Sequence, residues 1–373
     1  MQSDSIVYKF YYQWWKNIDK SIFLLISLLF IIGLFFSLVS TSLIASDKLD
    51  TNSYFFFFKH LIYVLIGISL IFIFSSLNSD QLYKYSIILF FVSLVSLFLV
   101  PFIGVEVKGS KRWIDLFFLP RFQPIEVLKP FLIIILATIL CDIKSNILFK
   151  YLISIFLISF ISLLLIAQPD IGQTLLVIFC WAVLIFTSGI NIYILLAIFI
   201  AGASLLTYLI IYVPRFDYIQ GRIFSFFNRE TGTHNFQSDK AIESITSGGF
   251  FGKGIGEGIL KNRVPEAHTD YIISVISEEF GVVAIMLILL LFLILIYMVF
   301  KKISFETNDK VKLILIGSIS LILMQATIHI GVNIRLFPTT GMTLPFLSYG
   351  GSSIISTSIL AGIILNLTKR KIT

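Results

Sequence analysis

Ten apolar runs separated by short polar breaks lay out the chain: residues 21–45, 55–77, 85–103, 124–141, 151–167, 171–187, 190–213, 271–300, 312–332 and 347–367. A helix needs about 20 mostly apolar residues to cross the roughly 30 Å hydrocarbon core of a bilayer. Each run is therefore predicted as a transmembrane helix, and the chain as an all-α, polytopic integral membrane protein. The first run is too long for the apolar core of a signal peptide, which spans about 7–15 residues, and reads as the first span. No internal repeat is visible, so the inverted-repeat signature of many secondary transporters is missing. Two long polar segments, 104–123 and 214–270, interrupt the pattern, the second between helices 7 and 8.

Composition narrows the function classes. The 373 residues are 57% hydrophobic and 13% charged, against roughly 45–50% apolar and about 25% charged in soluble domains. A soluble enzyme, a nucleic-acid binder and a disordered regulator are excluded together. The net charge of +7 is scattered through loops with no basic block, as expected of a membrane protein that keeps Lys and Arg in cytoplasmic loops. The short loops and both tails favour N-in, C-in, with 1–20 and 368–373 cytoplasmic and 1–373 a single membrane-embedded domain. Basic residues nevertheless remain in the two long outer segments, where they serve either an anionic ligand or loop solubility. Cys141 and Cys180 border or occupy apolar runs, so neither a disulfide nor a zinc site is expected.

Five clusters could carry chemistry. Lys108, Ser110, Lys111 and Arg112 precede Arg121, Gln123 and Pro124, and Pro124 suits the first turn of a helix. Glu126 and Lys129 lie three apart and share a helix face; they form either a structural ion pair or a wall of a polar cavity. Asp170, between two spans, is either a helix cap or a site residue. Glycines alternate through 247–258 without the strand, loop and Gly-Lys-Ser/Thr of a phosphate-binding loop, which reads as a flexible turn. Glu266, His268, Thr269 and Asp270 enter the eighth span; Thr269 or Asp270 either caps it or supplies a partly desolvated general base. Gln325, His329 and Asn333 make a polar stripe on one helix, most simply for interhelical hydrogen bonds, with Arg335 beyond it. Two prolines and several glycines in 336–353 break any helix there, and irregular backbone at that depth is tolerated only inside protein or along a cavity. No histidine pattern suggests a protein-built metal site.

The order and wording of these segments resemble the SEDS family (shape, elongation, division and sporulation). VKGSKRW at 107–113, QPIE at 123–126 with Lys129, QPDIG at 168–172, FQSDKAI at 236–242, SGGFFGKGIGEG at 247–258, PEAHTD at 265–270 and PTTGMTLPFLSYGGSS at 338–353 carry the likeness. It covers about residues 14–367. The WWKNID entry at 14–19 and the wording of 329–346 are similar to the division branch, of FtsW-like alphaproteobacterial type; the elongation branch (RodA-like) is the alternative.

The resemblance implies the SEDS fold and a peptidoglycan glycosyltransferase that polymerises lipid II, an undecaprenyl-diphosphate-linked disaccharide peptide, at the outer face of the bacterial inner membrane during septal wall synthesis. The family's catalytic aspartate falls on Asp270. Its cavity charges fall on Arg121, Glu126 and Lys129, and the aspartate of QPD on Asp170. Lys108, Arg112, Arg121 and Lys129 are expected to neutralise the diphosphate. Gln123, Gln237, Ser238, Glu266, His268, Ser348, Tyr349 and Ser352 join the substrate-binding set. No covalent cofactor and no protein-built metal site are implied, although a divalent cation (Mg or Mn) could assist. The implied partners are a class B penicillin-binding transpeptidase (FtsI-like), whose anchor helix would pack on the eighth and ninth spans, and other divisome membrane proteins, with no nucleic acid. Departures from the family wording are Ile125, Gln173 and Arg335. A lipid II flippase and a division scaffold are the competing functions.

Overall fold

The computed structural model describes residues 2–40, 54–107, 110–116, 119–142, 147–228 and 236–369. In chain order the helices are α1 (Gln2–Asn17), α2 (Lys20–Ser40), α3 (Phe55–Ser76), α4 (Ser79–Ile103), α5 (Pro124–Asp142), α6 (Ile147–Ala167), α7 (Ile171–Thr187), α8 (Ile192–Tyr212), α9 (Asp217–Asn228), α10 (Phe236–Gly248), α11 (Ile272–Phe305), α12 (Asp309–Asn333) and α13 (Gly351–Leu367). Every apolar run contains a helix, from α2 to α8 and then α11 to α13. Among the described residues, eight helices are long and apolar enough to cross a membrane; α7 and α13, at 17 residues each, are shorter.

Helix ends shift where local chemistry overrides the apolar pattern. α4 begins at Ser79, ahead of its apolar run, because the Asn78 N–H donates to the Gln81 side chain and stabilises a polar first turn. α13 begins at Gly351 instead of 347 because 344–348 closes as a buried turn. There Phe346 has a φ of 66° and the Leu344 N–H donates to Ser348 Oγ at 2.9 Å.

Burial separates central from peripheral helices. In α5, 72% of the 18-residue apolar window is buried inside the protein, and in α12 67%; in α8 the share is 6%. α13 packs along α3 and against α5, and α12 against α5, α7 and α11. α8 fully buries only Leu195 among its described side chains, and most of the others are exposed. Two long segments between spans are more ordered than loops. Residues 105–107, 110–116 and 119–122 form an antiparallel meander, β1 (Val105–Val107), β2 (Ser110–Leu116) and β3 (Leu119–Phe122), with Val105 opposite Trp113 and Ile114 opposite Phe122. Residues 214–270 carry α9 and α10.

α11 is 34 residues long, about 50 Å at 1.5 Å per residue, well beyond the bilayer core. It is broken at Gly281, whose φ of 77° and ψ of −178° are non-helical. The glycine segment after α10 repairs the break. The carbonyls of Glu278 and Glu279 accept from Lys253 and Gly254 N–H, and the N–H groups of Val282 and Val283 donate to Gly249 and Phe250 carbonyls. The alternating glycines therefore form a clamp, not a flexible turn. Backbone approach explains the residue type: a Cβ at Gly252 would fall 2.1 Å from the Glu279 carbonyl oxygen, and one at Gly281 the same distance from that of Phe250. Beneath the clamp, buried Glu278 accepts from Ser244 Oγ (3.0 Å) and Leu260 N–H (2.9 Å), with Lys253 Nζ at 3.6 Å.

A Gly281→Ala substitution is expected to destabilise the protein by about 2 kcal/mol or more, because that backbone region is essentially glycine-only and the new methyl meets a carbonyl. Thermal unfolding in detergent measures it; an unchanged midpoint would refute the clamp.

Candidate active site

Four helices begin around one cavity. α5, α7, α11 and α13 each place an N-terminal residue on its wall: Glu126, Gln173, the N-cap Tyr271, and Ser352 with Ser353. The cavity holds about 560 Å³. Unpaired N–H groups and aligned peptide dipoles make helix N-termini favourable for anions, so four converging on one space favour negative charge there. Arg112 and Arg121 from the β-meander and Arg222 from α9 add three cations to the same wall, and Glu126, Asp170, Glu266 and Asp270 add four carboxylates.

Two of the open alternatives resolve into both readings at once. Asp170 caps α7, accepting from the Gln173 N–H at 3.4 Å. It also accepts from Gln123 Nε2 at 2.8 Å and stands 3.8 Å from Arg112. Burial pushes its carboxyl above the usual carboxylate range, with Arg112 opposing. Glu126 and Lys129 form a buried ion pair of 2.9 Å, and Glu126 also lines the cavity. Lys129 does not. Its ammonium is 1% exposed and is held by Glu126, Gln173 (3.0 Å) and Gln325 (3.4 Å). Gln173, one of the departures from the family wording, also donates to Glu126 Oε1 at 2.6 Å. The other carboxylate oxygen of Glu126 has no partner among the described residues.

The cap alternative at the eighth span fails. α11 starts at Ile272 with Tyr271 as N-cap, leaving Thr269 and Asp270 in the preceding turn. Thr269 Oγ1 bonds the carbonyl and carboxylate of Glu266, which itself adopts a φ of 56°. The Asp270 side chain lies beside Gly341 on the cavity wall, and its backbone carbonyl accepts from Asn333 Nδ2 at 3.0 Å.

The polar stripe on α12 makes the expected interhelical bonds, from Gln325 to Lys129 of α5 and to Ser353 of α13, and it also reaches the irregular segment. Gln325 donates to the Thr343 carbonyl, and His329 Nδ1 bonds that of Met342 at 2.7 Å. A carbonyl can only accept, so the proton sits on Nδ1. Arg335 pairs with Asp239 and ties α10 to the end of α12.

The structure thus brings Arg112, Arg121, Gln123, Glu126, Asp170, Gln237, Glu266, Asp270, Tyr349 and Ser352 to one cavity. Four expected substrate contacts lie off its wall. Lys129 is behind Glu126. Ser238 lines a separate small pocket with Arg222 and Thr339. His268 packs on Phe56, ring centroids 4.4 Å apart, and burial holds its imidazole below the usual range, with Glu266 opposing. Ser348 serves the 344–348 turn. Lys108 lies outside the described residues. Tyr349, by contrast, reaches the wall with its phenol pushed up to about 12 by burial and by Tyr63, so it is a neutral donor or acceptor. The sequence reading missed Trp113, Arg222, Thr339 and Thr340 as wall residues. Arg222 had a signal, a lone basic residue in a helix with four aromatic side chains, but no local pattern says that α9 folds over the cavity.

Among the described residues, no three His, Cys, Asp or Glu side chains come together to hold a metal ion. Of the four wall carboxylates, Glu126 is engaged by Lys129 and Asp170 by Arg112 and Gln123.

The family model FTSW_RODA_SPOVE, described as "Cell cycle protein", matches residues 19–372. A protein of Caulobacter vibrioides named "Probable peptidoglycan glycosyltransferase FtsW" is 30% identical over 366 residues, covering 96% of this chain and 91% of the relative. One of Coxiella burnetii with the same name is 33% identical over 340 residues, covering 88% and 90%. A solved structure described as "Structural coordination of polymerization and crosslinking by a peptidoglycan synthase complex" superposes with a TM-score of 0.77 at 26% identity, covering 94% of this chain and 97% of the other. The rod shape determining protein RodA of Thermus thermophilus superposes with a TM-score of 0.69 at 25% identity, covering 94% and 96%.

Proposed function

The chain belongs to the SEDS family and is an integral membrane peptidoglycan glycosyltransferase; from that premise we propose that it polymerises lipid II at the outer membrane face during septal synthesis, with Asp270 as general base. The elongation-type alternative is dropped, because the curated relatives carry the FtsW name. The observation that carries the mechanism is one cavity holding a carboxylate at one helix mouth and three arginines with four helix N-termini around it.

In this reading an acceptor sugar hydroxyl attacks the anomeric carbon of the donor and inverts it in one displacement. The new glycosidic bond forms as the bond to the undecaprenyl diphosphate breaks. Asp270 takes the hydroxyl proton, which raises the nucleophilicity of the oxygen at the moment of attack. The departing diphosphate carries away the bonding pair, and Arg112, Arg121, Arg222 and the helix N-termini stabilise that charge where it develops. Glu126 contributes its side chain to the wall beside the bound saccharide. Asp170 holds Arg112 and Gln123 in position. Lys129 does not touch the diphosphate; it holds the Glu126 carboxylate in place from behind.

The N-in, C-in orientation places the cavity outside. A single-span class B transpeptidase is the partner, seated on the apolar faces of α11 and α12, where Met286, Leu287, Leu290 and Leu323 are exposed. The structural likeness to a synthase complex that joins polymerisation and crosslinking supports this.

The test is glycan synthesis from purified lipid II by the chain with its cognate transpeptidase, beside a leaflet-exchange assay on the same vesicles. Polymer formation supports the assignment; lipid exchange without polymer would replace it with the flippase reading. Asn333 gives a finer check. Losing its bond to the Asp270 backbone should lower kcat about tenfold, the worth of one hydrogen bond of roughly 1.4 kcal/mol, with KM little changed. An Asn333→Ala enzyme with wild-type kcat would show that this bond does not position the base.

A further inference from the structure

The amino-terminal helix α1 lies outside the bundle and has no part in the mechanism. Its described side chains divide into three arcs at about 100° per residue. Trp14 faces the protein: its Nε1 donates to Ser75 Oγ at 2.8 Å, and its ring meets those of Phe72 and Phe23. Next around the helix come Tyr11, Trp15, Tyr8 and Tyr12, at the i, i+3, i+4 and i+7 spacing of one face. All four are exposed, by 51%, 38%, 71% and 60%. Lys16 and Lys9 follow, with Lys20 in line just beyond the helix end, and all three are exposed. Gln13 completes the polar side.

Three further contacts place this helix at the bilayer surface. Tyr11, one turn before Trp14, stacks on Phe72 at 5.0 Å, so α1 runs back along the flank of α3 instead of away from it. Ser75 and Phe72 belong to the last turns of α3, which ends at Ser76, and α3 is itself largely open to lipid. The elbow after α1 is fixed. Asp19 accepts from the Ser21 and Ile22 N–H groups and pairs with Lys302 at 2.7 Å, and the Lys20 ammonium sits 5.4 Å from the Trp15 ring centre.

We propose that α1 is an interfacial helix that seats Tyr8, Tyr12 and Trp15 in the acyl–headgroup boundary of the membrane while Lys9, Lys16 and Lys20 bind anionic lipid headgroups. The occupant is set by chemistry. An aromatic arc bordered by an ammonium arc matches the depth profile of the interface, where amphipathic rings lie at headgroup level and lysines reach the phosphates above them. The protein side of the helix is occupied by α2 and α3; Tyr11 and Trp15, the latter edge-on to Phe23 at 5.7 Å, border that contact, and Tyr8 and Tyr12 turn away from it.

The test uses the full chain with Cys141→Ala, reconstituted into vesicles of phosphatidylethanolamine with phosphatidylglycerol, or of phosphatidylcholine alone. A nitroxide is attached at Tyr12→Cys or Gln13→Cys, and its collisions with oxygen and with a water-soluble nickel complex are measured. The oxygen-to-nickel ratio at position 12 is expected to exceed that at 13 several-fold. Changing Lys9, Lys16 and Lys20 to Gln should lower the ratio at 12 several-fold in phosphatidylglycerol vesicles and leave it unchanged in phosphatidylcholine. Equal nickel access at 12 and 13 would overturn the membrane seat. Shielding of position 12 from both reagents would overturn it in favour of a protein contact, from a second copy or another membrane protein. A ratio indifferent to the lysines would overturn the headgroup assignment.

Discussion

Replacing Asp270 by Ala or Asn is expected to abolish polymerisation of lipid II while the protein stays folded. The attacking sugar hydroxyl is a poor nucleophile until its proton is taken, and general base catalysis contributes roughly 10²–10⁴-fold. The loss should fall on kcat, because the three arginines and the four helix N-termini that hold the donor are untouched. Folding should survive. The bond from Asn333 that ties this position to α12 runs to the backbone carbonyl, which both substitutions keep. The measurements are glycan polymer formed over time and thermal unfolding of the same preparations. Polymer from the Asn variant at the wild-type rate would end the general-base assignment.

The second large effect is on stability, at Lys129. A lysine expected to meet the diphosphate would be replaceable with loss of turnover alone. The structure predicts otherwise, since the ammonium is buried against Glu126, Gln173 and Gln325. Lys129→Ala removes the cation paired with the Glu126 carboxylate and leaves three polar side chains facing a void. Breaking such a pair costs about 3–5 kcal/mol, enough to lose most of the folded protein. The paired change Glu126→Gln with Lys129→Met removes both charges together and should recover most of that stability. A double-mutant cycle on thermal unfolding measures the coupling. Lys129→Ala at wild-type stability, or no recovery in the double variant, would contradict the buried-pair reading. Activity of the double variant then isolates Glu126: a stable but slow enzyme is the expected outcome.

These two residues mark how far the site was legible in the amino-acid order. Asp270 was singled out by a carboxylate entering a long apolar run and by the wording around it, and the structure puts it on the cavity wall. Lys129 was singled out with equal reason, as a charge inside a span, yet it turns its ammonium away from the cavity. A charge in an apolar run must face protein or water, but the run does not say which. The rotation of α5 against α7 and α12 decides it, and that depends on contacts with residues about 45 and 200 positions away. His268 and Ser348 stand in highly recognisable motifs and shape the wall from behind. Arg222 stands in no recognisable motif and lines it.

The same division holds for the fold. The membrane spans were readable from the chain alone because the bilayer imposes one length and one polarity on each, a demand met locally, residue by residue. The glycine segment 247–258 was not. It looked like a loose turn, and its role appears only when the break at Gly281, more than twenty residues on, exposes carbonyls and N–H groups that need partners in a low-dielectric setting. The amino-acid order by itself determined that this is a membrane protein with ten apolar segments, a few polar clusters between them and carboxylates at several helix mouths. Only the tertiary structure decided which clusters converge, which charges meet the cavity and which lock the helices behind it. Hydrophobic length is a local property of a segment, whereas convergence of side chains is set by how the helices rotate against one another.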